Sequence, residues 1–138
     1  MYKKISTVIL LFGILIFATA ASAEIKTFIG VGTYYMENSE ETLDFAKNKA
    51  KLAAELNAME QAQVNIQSYS ESHNLNLTND EIISITAGIL KVTDVKYALK
   101  SESDGILLMQ AEVTAEIDTD KISGMVEREI KRRTNENK

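Results

Sequence analysis

The sequence contains no cysteine, no proline and no tryptophan, and its single histidine is His73. Without cysteine the chain forms no disulfide, carries no lipid on an N-terminal cysteine and performs no thiol chemistry. A metal site usually needs two or more His or Cys ligands at defined spacing, which one histidine cannot supply. With no low-complexity linker and no internal repeat, the chain is expected to form one domain held together by its core.

The first 23 residues have the pattern of a secretion signal. Two lysines precede the apolar run Val8–Ala21, and Ala21-Ser22-Ala23 offers a small-residue cleavage site. The run is shorter than the roughly 20 apolar residues that a membrane span needs. We therefore expect cleavage between Ala23 and Glu24, rather than an uncleaved anchor helix, and a periplasmic or secreted mature chain.

The expected mature chain, 24–138, is acidic. Without Lys3 and Lys4 it has 13 basic and 20 acidic side chains, a formal net charge of −7. Such a surface repels nucleic acid and anionic membrane, so neither is an expected partner. We expect a single α/β domain at 24–133, with its core in 26–118, a C-terminal helix at 119–133 and a disordered tail at 134–138.

Residues 39–62 predict one long amphipathic helix. Asn38 with Glu41 predicts the capping box that opens it. A second apolar stripe on the same helix consists of Phe45, Leu52, Leu56 and Met59. We expect this stripe to pack in the core, and the alternative is that it presents an edge to a partner. The main stripe consists of alanines spaced as on the buried face of a helix: Ala46, Ala50, Ala53, Ala54, Ala58 and Ala62.

The first predicted strand, 26–36, has Gly30 and Gly32 on one face. Two glycines on a strand face usually mark a close approach of another backbone. We therefore expect the alanine-rich helix to lie unusually near the sheet there. The alternative, a phosphate-binding loop, lacks its third glycine because Tyr35 stands at that position.

Two short elements are predicted next. Residues 63–72 alternate apolar and polar side chains and predict a second strand, followed by a loop at 73–77. Thr78 with Glu81 forms a capping-box pattern that opens a short helix, which Gly88 would end in a left-handed conformation.

The rest of the chain predicts a hairpin and a last helix. Residues 89–100 and 106–117 are expected to pair as a hairpin around a turn at Asp104-Gly105. In the first of these strands the apolar side chains change from one face to the other near Thr93-Asp94, which predicts a β-bulge. The predicted order is β-α-β-α-β-β-α. It describes an α+β fold, a two-layer α/β domain with the long helix packed on a mostly antiparallel sheet.

No pattern of a catalytic, cofactor or metal site is present. His73 lies between Ser72 and Asn74 in the predicted polar loop, without a partner to orient it. Asp118 and Asp120 begin like a calcium loop, but the following residues lack the required oxygen ligand and glycine, so helix capping is the expected role. We expect no catalytic, cofactor-binding or metal-binding residues, no cofactor and no enzymatic activity.

A basic cluster near the C-terminus has two interpretations, contact with anionic lipid or an acidic partner, or cations that favour a helix C-terminus. Because Glu127 and Glu129 are interleaved with the cluster, we favour the second. The cluster consists of Arg128, Lys131, Arg132 and Arg133.

The small-residue segments and the order of elements resemble the envelope family that joins the twenty-kilodalton (LPP-type) lipoproteins with the N-terminal domain of the flagellar protein FlgT. The resemblance covers Ile29–Asp118. Its segments are Ile29-Gly-Val-Gly32, the alanines at 46, 50, 53 and 54, Val64–Ser70, Asn79-Asp-Glu81, Thr86-Ala-Gly88 and Gly105–Ile117.

The resemblance implies a cell-envelope protein of bacteria with two membranes. Some relatives sit at the outer membrane or brace flagellar parts, and the family carries no catalytic motif to transfer. The chain departs from the lipoproteins because it lacks the lipid-bearing cysteine. A soluble periplasmic protein with no stable membrane anchor after cleavage is therefore expected.

Two functions follow from these observations. The first is a non-enzymatic interaction module of the periplasm or cell envelope, linked to envelope or flagellar assembly, whose partners are envelope proteins and whose oligomeric state is open. The alternative is a binder of a small apolar or lipid-like ligand between helix and sheet, beside Phe45, Leu52, Leu56 and Met59.

Overall fold

The structure, a computed structural model, describes residues 24–37 and 40–137. The expected α+β class is confirmed, since a long helix packs on one face of a three-stranded antiparallel sheet in which the last strand of the chain lies between the other two. The predicted secretion signal at 1–23 and Asn38 lie outside the described residues. The elements are β1 (Ile25–Tyr35), α1 (Leu43–Ser72), α2 (Asn79–Ile89), β2 (Lys91–Ser101), β3 (Leu107–Asp118) and α3 (Asp120–Glu136).

The long helix α1 begins later than predicted. Its N-cap is Thr42, whose hydroxyl accepts a hydrogen bond of 3.2 Å from the backbone N–H of Phe45. Glu41, the expected partner in the capping box, instead accepts bonds from the N–H of Glu37 at 3.3 Å and the hydroxyl of Tyr34 at 3.2 Å. The predicted start of this helix was therefore wrong.

The strand predicted at 63–72 was also wrong, because these residues continue α1. Val64 and Ile66 alternate with polar neighbours as in a strand. However, Ala62, Ile66 and Ser70 continue the four-residue spacing of the buried positions in α1. The burial of Ala62 and Ile66 against α2 and α3 outweighs the local alternation. The observed order is β-α-α-β-β-α.

The buried stripe of α1 turns about the helix. Positions repeated every four residues advance by about 40° per step in a helix with 3.6 residues per turn. The first half of the stripe, Ala46 to Ala58, packs on the sheet, and the second half, Ala62 to Ile66, packs in a separate cluster with α2 and α3. One helix thereby serves two parts of the core.

The predicted hairpin and bulge are confirmed. β2 and β3 pair antiparallel, with a register shift between Val92 and Asp94. The turn contains Gly105 at a φ of +85°, a conformation that favours glycine. The N–H of Glu102 closes the turn by donating to the carbonyl of Ile106 at 2.9 Å.

The two shorter helices match the prediction in part. The capping box of α2 is confirmed, because the N–H of Thr78 donates to the Glu81 carboxylate at 2.8 Å and the Thr78 hydroxyl accepts from the Glu81 N–H. Gly88 lies inside α2 and not in a left-handed cap, so that expectation was wrong. α3 continues to Glu136, so the predicted disorder of 134–136 was wrong as well.

Candidate functional site

The two glycines of β1 face the backbone of α1, as predicted. A Cβ added at Gly30 would overlap the carbonyl oxygen of Ala54 and lie 2.6 Å from the N of Ala58. A Cβ added at Gly32 would overlap the carbonyl oxygen of Ala50. The helix fills the space beside the glycines, so they do not form a phosphate-binding loop.

Because α1 lies so near β1, two of its side chains form hydrogen bonds with the backbone at this edge of the sheet. β1 is an edge strand, and its outward N–H and C=O groups would otherwise be unpaired. The side-chain oxygen of Asn57 accepts a bond of 3.1 Å from the N–H of Val31, and the amide of Gln61 donates a bond of 2.8 Å to the carbonyl of Ile29. The Gln61 amide also donates to Asn57 at 3.2 Å, which fixes both side chains.

The opposite edge, formed by β2, is open. α1 packs mainly on β1 and β3, and every residue of β2 is exposed except the half-buried Val95. Within 24–37 and 40–137, no side chain is hydrogen-bonded to the outward backbone groups of β2. Amide side chains of α1 therefore pair two outward backbone groups in the middle of β1, whereas the edge at β2 is available to a further strand along its length.

The direction of the free groups on β2 follows from its pairing with β3. Paired residues in an antiparallel ladder alternate between hydrogen-bonded and non-hydrogen-bonded pairs. Because Glu102 bonds to Ile106, the N–H and C=O groups of Val95, Tyr97 and Leu99 point away from β3, toward the open edge.

The side chains of the same three residues lie on the face of the sheet that α1 packs against. They pair with β3 residues of the core, Tyr97 with Ala111 and Leu99 with Met109. Nevertheless Tyr97 is 41% exposed and Leu99 is 49% exposed, because α1 leaves β2 uncovered. The Nζ of Lys47 on α1 lies 5.8 Å from the centre of the Tyr97 ring.

The second apolar stripe of α1 borders this area, and the expectation that it packs in the core was wrong. Leu52 is 54% exposed and Leu56 is 53% exposed, and Phe45 is also exposed. Leu52, Leu56 and the half-buried Met59 line a groove of about 250 Å³. Ala87 and Leu90 at the end of α2 and Val92 in β2 form its other wall.

We call this surface the β2 flank. It consists of the open edge and inner-face side chains of β2 together with the apolar stripe of α1 beside it: Val92, Val95, Tyr97, Leu99, Leu52, Leu56 and Met59. The sequence pattern identified the α1 stripe and the strand but did not indicate that they are adjacent and uncovered.

The residues weighed for chemistry lie elsewhere. His73 follows α1, and its ring stacks on Tyr69 at 4.1 Å between ring centres, with Nδ1 2.9 Å from the Tyr69 carbonyl oxygen. Asp118 accepts a bond of 3.1 Å from the N–H of Asp120 at the start of α3, which is a capping role. The described residues contain no group of three or more His, Cys, Asp or Glu side chains that could hold a metal.

Two arginines of the basic cluster form ion pairs within the domain. Arg132 bonds to Glu129 and Glu136, and these bonds raise its pKa above the ordinary value. Arg133 lies 3.5 Å from the buried Glu81 carboxylate and donates to the carbonyl of Asn76 at 2.8 Å. Arg133 therefore ties α3 to the capped start of α2.

Comparison with known proteins adds no relative. No family model matches the chain, and neither do the curated proteins or the solved structures. The resemblance to the LPP-type lipoproteins and FlgT stays a prediction. Among the described helices, none has the length and apolar character needed to cross a bilayer.

Proposed function

We propose that the protein is a non-enzymatic interaction module of the bacterial cell envelope, which binds an extended segment of a partner along the β2 flank. The observation that carries the proposal is the difference between the two edges of the sheet. Asn57 and Gln61 pair the outward Val31 N–H and Ile29 C=O of β1, whereas no side chain among the described residues pairs an outward backbone group of β2.

Strand addition to a sheet edge explains both properties of the β2 flank. The outward N–H and C=O groups of Val95, Tyr97 and Leu99 supply main-chain hydrogen bonds to an added strand. Exposed apolar side chains beside them supply the contacts that select its sequence. An exposed apolar area next to an unpaired edge is typical of an interaction surface.

The envelope location rests on the sequence. The secretion pattern at 1–23 and the resemblance to LPP-type and FlgT proteins support export to the periplasm, and the missing lipid-bearing cysteine favours a form without a membrane anchor. A link to envelope or flagellar assembly follows from the same resemblance. The partners are envelope proteins, a second copy of this chain included.

Photo-cross-linking in living cells tests this function. A photoreactive amino acid replaces Leu99 in the full-length chain, and the matched control carries it at Thr33, an exposed residue on the opposite face of β1. We expect an adduct with an envelope protein from position 99 and none from position 33. Absence of any adduct at position 99 would contradict the proposal.

A second variant separates strand addition from simple apolar contact. Val95→Pro removes one outward N–H while leaving the hydrogen bonds to β3 in place, a change that edge strands tolerate. The Leu99 adduct should disappear in this variant while the circular dichroism spectrum stays unchanged. An undiminished adduct would mean that the partner does not bind as a strand.

A small apolar or lipid-like ligand is the second candidate function, and the groove between α1, α2 and β2 favours it. Its volume of about 250 Å³ would take a short stretch of alkyl chain. Native mass spectrometry of protein purified from cells that express the full-length chain should show an added mass, which Leu56→Glu removes. A clean unliganded mass would contradict this candidate.

A further inference from the structure

We propose that the strand that pairs with β2 is β2 of a second copy, so that two chains form a continuous six-stranded sheet with a two-fold axis at Tyr97. This inference rests on the proposed function, because it names the partner of the same edge. Three observations carry it: the direction of the free backbone groups, the order of charges along β2, and the apolar side chains beside it.

The backbone groups are suitable for self-pairing at Tyr97. In an antiparallel pair of identical strands, the two-fold axis passes through a residue that pairs with itself, and the others pair symmetrically about it. With the axis at Tyr97, Val95 of one copy lies opposite Leu99 of the other. All three residues present their N–H and C=O groups at the open edge, so these pairs are hydrogen-bonded.

The charges of β2 favour this register. On the outer face, Asp94 of one copy lies opposite Lys100 of the other, and this attractive pair occurs twice in the dimer. Lys96 lies opposite Ala98, which carries no charge. Opposite charges directly across a ladder stabilise it and like charges destabilise it.

The neighbouring registers are less favourable. With the axis at Lys96, this lysine would lie opposite itself. With the axis at Ala98, Lys96 would lie opposite Lys100 of the other copy. With the axis at Val95, the irregular residues between Val92 and Asp94 would enter the centre of the new ladder. With the axis at Leu99, only residues 97–101 would pair, because Lys96 would lie opposite Glu102, which belongs to the turn. The Tyr97 register alone pairs the whole regular part of β2, 94–100, without like charges in opposition.

The apolar side chains point to the same arrangement. A two-fold axis perpendicular to the sheet keeps both α1 helices on the same face. The half-buried Val95 and the exposed Tyr97 and Leu99 of the two copies would then form one apolar floor, bordered on each side by the stripe with Leu52 and Leu56. Apolar side chains of β2 that are solvent-exposed in a single copy would therefore contact apolar side chains of the second copy.

Single cysteines test the register directly, because the natural chain has none. In protein purified from cells expressing the full-length chain, Tyr97→Cys should link to itself through a short thiol cross-linker. The control Thr33→Cys, on the opposite face of β1, should not. A mixture of Val95→Cys and Leu99→Cys proteins should link as a pair, whereas neither should link alone, since each cysteine lies opposite the other position.

Charge substitution tests the pairing without cysteine. Lys100→Glu should raise the dimer dissociation constant about tenfold in sedimentation equilibrium, because Asp94 then opposes a like charge at two places. Asp94→Lys combined with Lys100→Asp should restore the dimer. Lys96→Gln is the matched control, because Lys96 lies opposite Ala98 and a neutral amide places no negative charge beside Asp94 and Glu112, each 3.8 Å from the Lys96 Nζ. It should have little effect on association.

The outcomes separate this inference from the proposed function. A monomer at every concentration that the protein tolerates, or a dimer that links through Thr33→Cys instead of Tyr97→Cys, would overturn it. A Leu99 photo-adduct with a different envelope protein would then still support strand addition at the β2 flank. In that case Lys96 and Lys100 would act as charges that prevent self-association of an edge strand.

Discussion

Replacing Gly30 by alanine tests the contact between β1 and α1 on which the fold depends. The added methyl group would lie 2.9 Å from the Cβ of Ala58 and 2.6 Å from its N, and it would overlap the carbonyl oxygen of Ala54. Ordinary contacts of a Cβ are 3.4–4 Å long. Because the obstacle is helix backbone, rotation of a flexible side chain cannot relieve the overlap, and α1 must move by about 1 Å.

The cost has three parts. Overpacking of a well-packed contact destabilises by about 1–3 kcal/mol. Movement of α1 also lengthens the bonds from Asn57 and Gln61 to β1, each contributing about 1 kcal/mol at most. The substitution also recovers about 0.5–1 kcal/mol of this loss, because alanine loses less backbone entropy than glycine on folding. We therefore expect Gly30→Ala to lower the free energy of unfolding by about 2–3 kcal/mol, a large share of the roughly 5–15 kcal/mol of a typical domain.

Urea unfolding followed by far-ultraviolet circular dichroism measures this change. Gly124→Ala is the matched control, because it makes the same substitution in α3 where no atom lies within 4 Å of the new Cβ. It should raise the free energy of unfolding by up to about 1 kcal/mol through helix propensity. If Gly30→Ala unfolded at the same urea concentration as the natural chain, α1 could not lie against the glycine face of β1.

Three further changes have defined outcomes. Thr78→Ala removes the side-chain cap of α2 and should lower the free energy of unfolding, measured in urea, by about 1 kcal/mol. Thr78→Asn should retain the cap and the stability, and an equal loss in both variants would exclude the capping role. Gly105→Ala should cost about 1–2 kcal/mol because φ is +85° there, and a neutral result would contradict that turn. Burial, and then the hydrogen bond to Glu41, raise the pKa of Tyr34 above its ordinary value near 10. Since the folded-state pKa exceeds the unfolded one, the stabilisation is complete below pH about 10 and is lost as the pH rises further. The absorbance titration of the natural chain minus that of Tyr34→Phe should have its midpoint above pH 10, and a lower midpoint would contradict this environment.

The features that the sequence predicted correctly depend on residues a few positions apart in the chain, or on the missing Cβ of glycine. Gly30 and Gly32 have no Cβ, and the alanines of α1 have only one, so a close helix–sheet contact follows from their size. The capping box of Thr78 and Glu81 spans only three residues. The bulge after Val92 follows from a change in the alternation of one strand, whatever it packs against.

The features that it predicted wrongly depend on distant parts of the chain. Residues 63–72 alternate like a strand, yet they are helical because Ile66 packs with the apolar side chains of α2 and α3. The contact of Arg133 with Glu81, which joins α3 to the start of α2, likewise has no local pattern in the sequence. The start of α1 is the exception, because its cap at Thr42 spans only three residues.

By itself the sequence determined an α+β domain with a glycine–alanine contact at its centre, because side-chain size, capping and alternation act over a few residues. Only the tertiary structure decided which edge of the sheet receives hydrogen bonds from α1 side chains and which apolar residues stay exposed to water. Asn57 and Gln61 reach Val31 and Ile29 because α1 lies over β1 and β3, and the same position leaves Tyr97 uncovered. The placement of one helix across three strands is set by all its contacts together, and no local pattern encodes it.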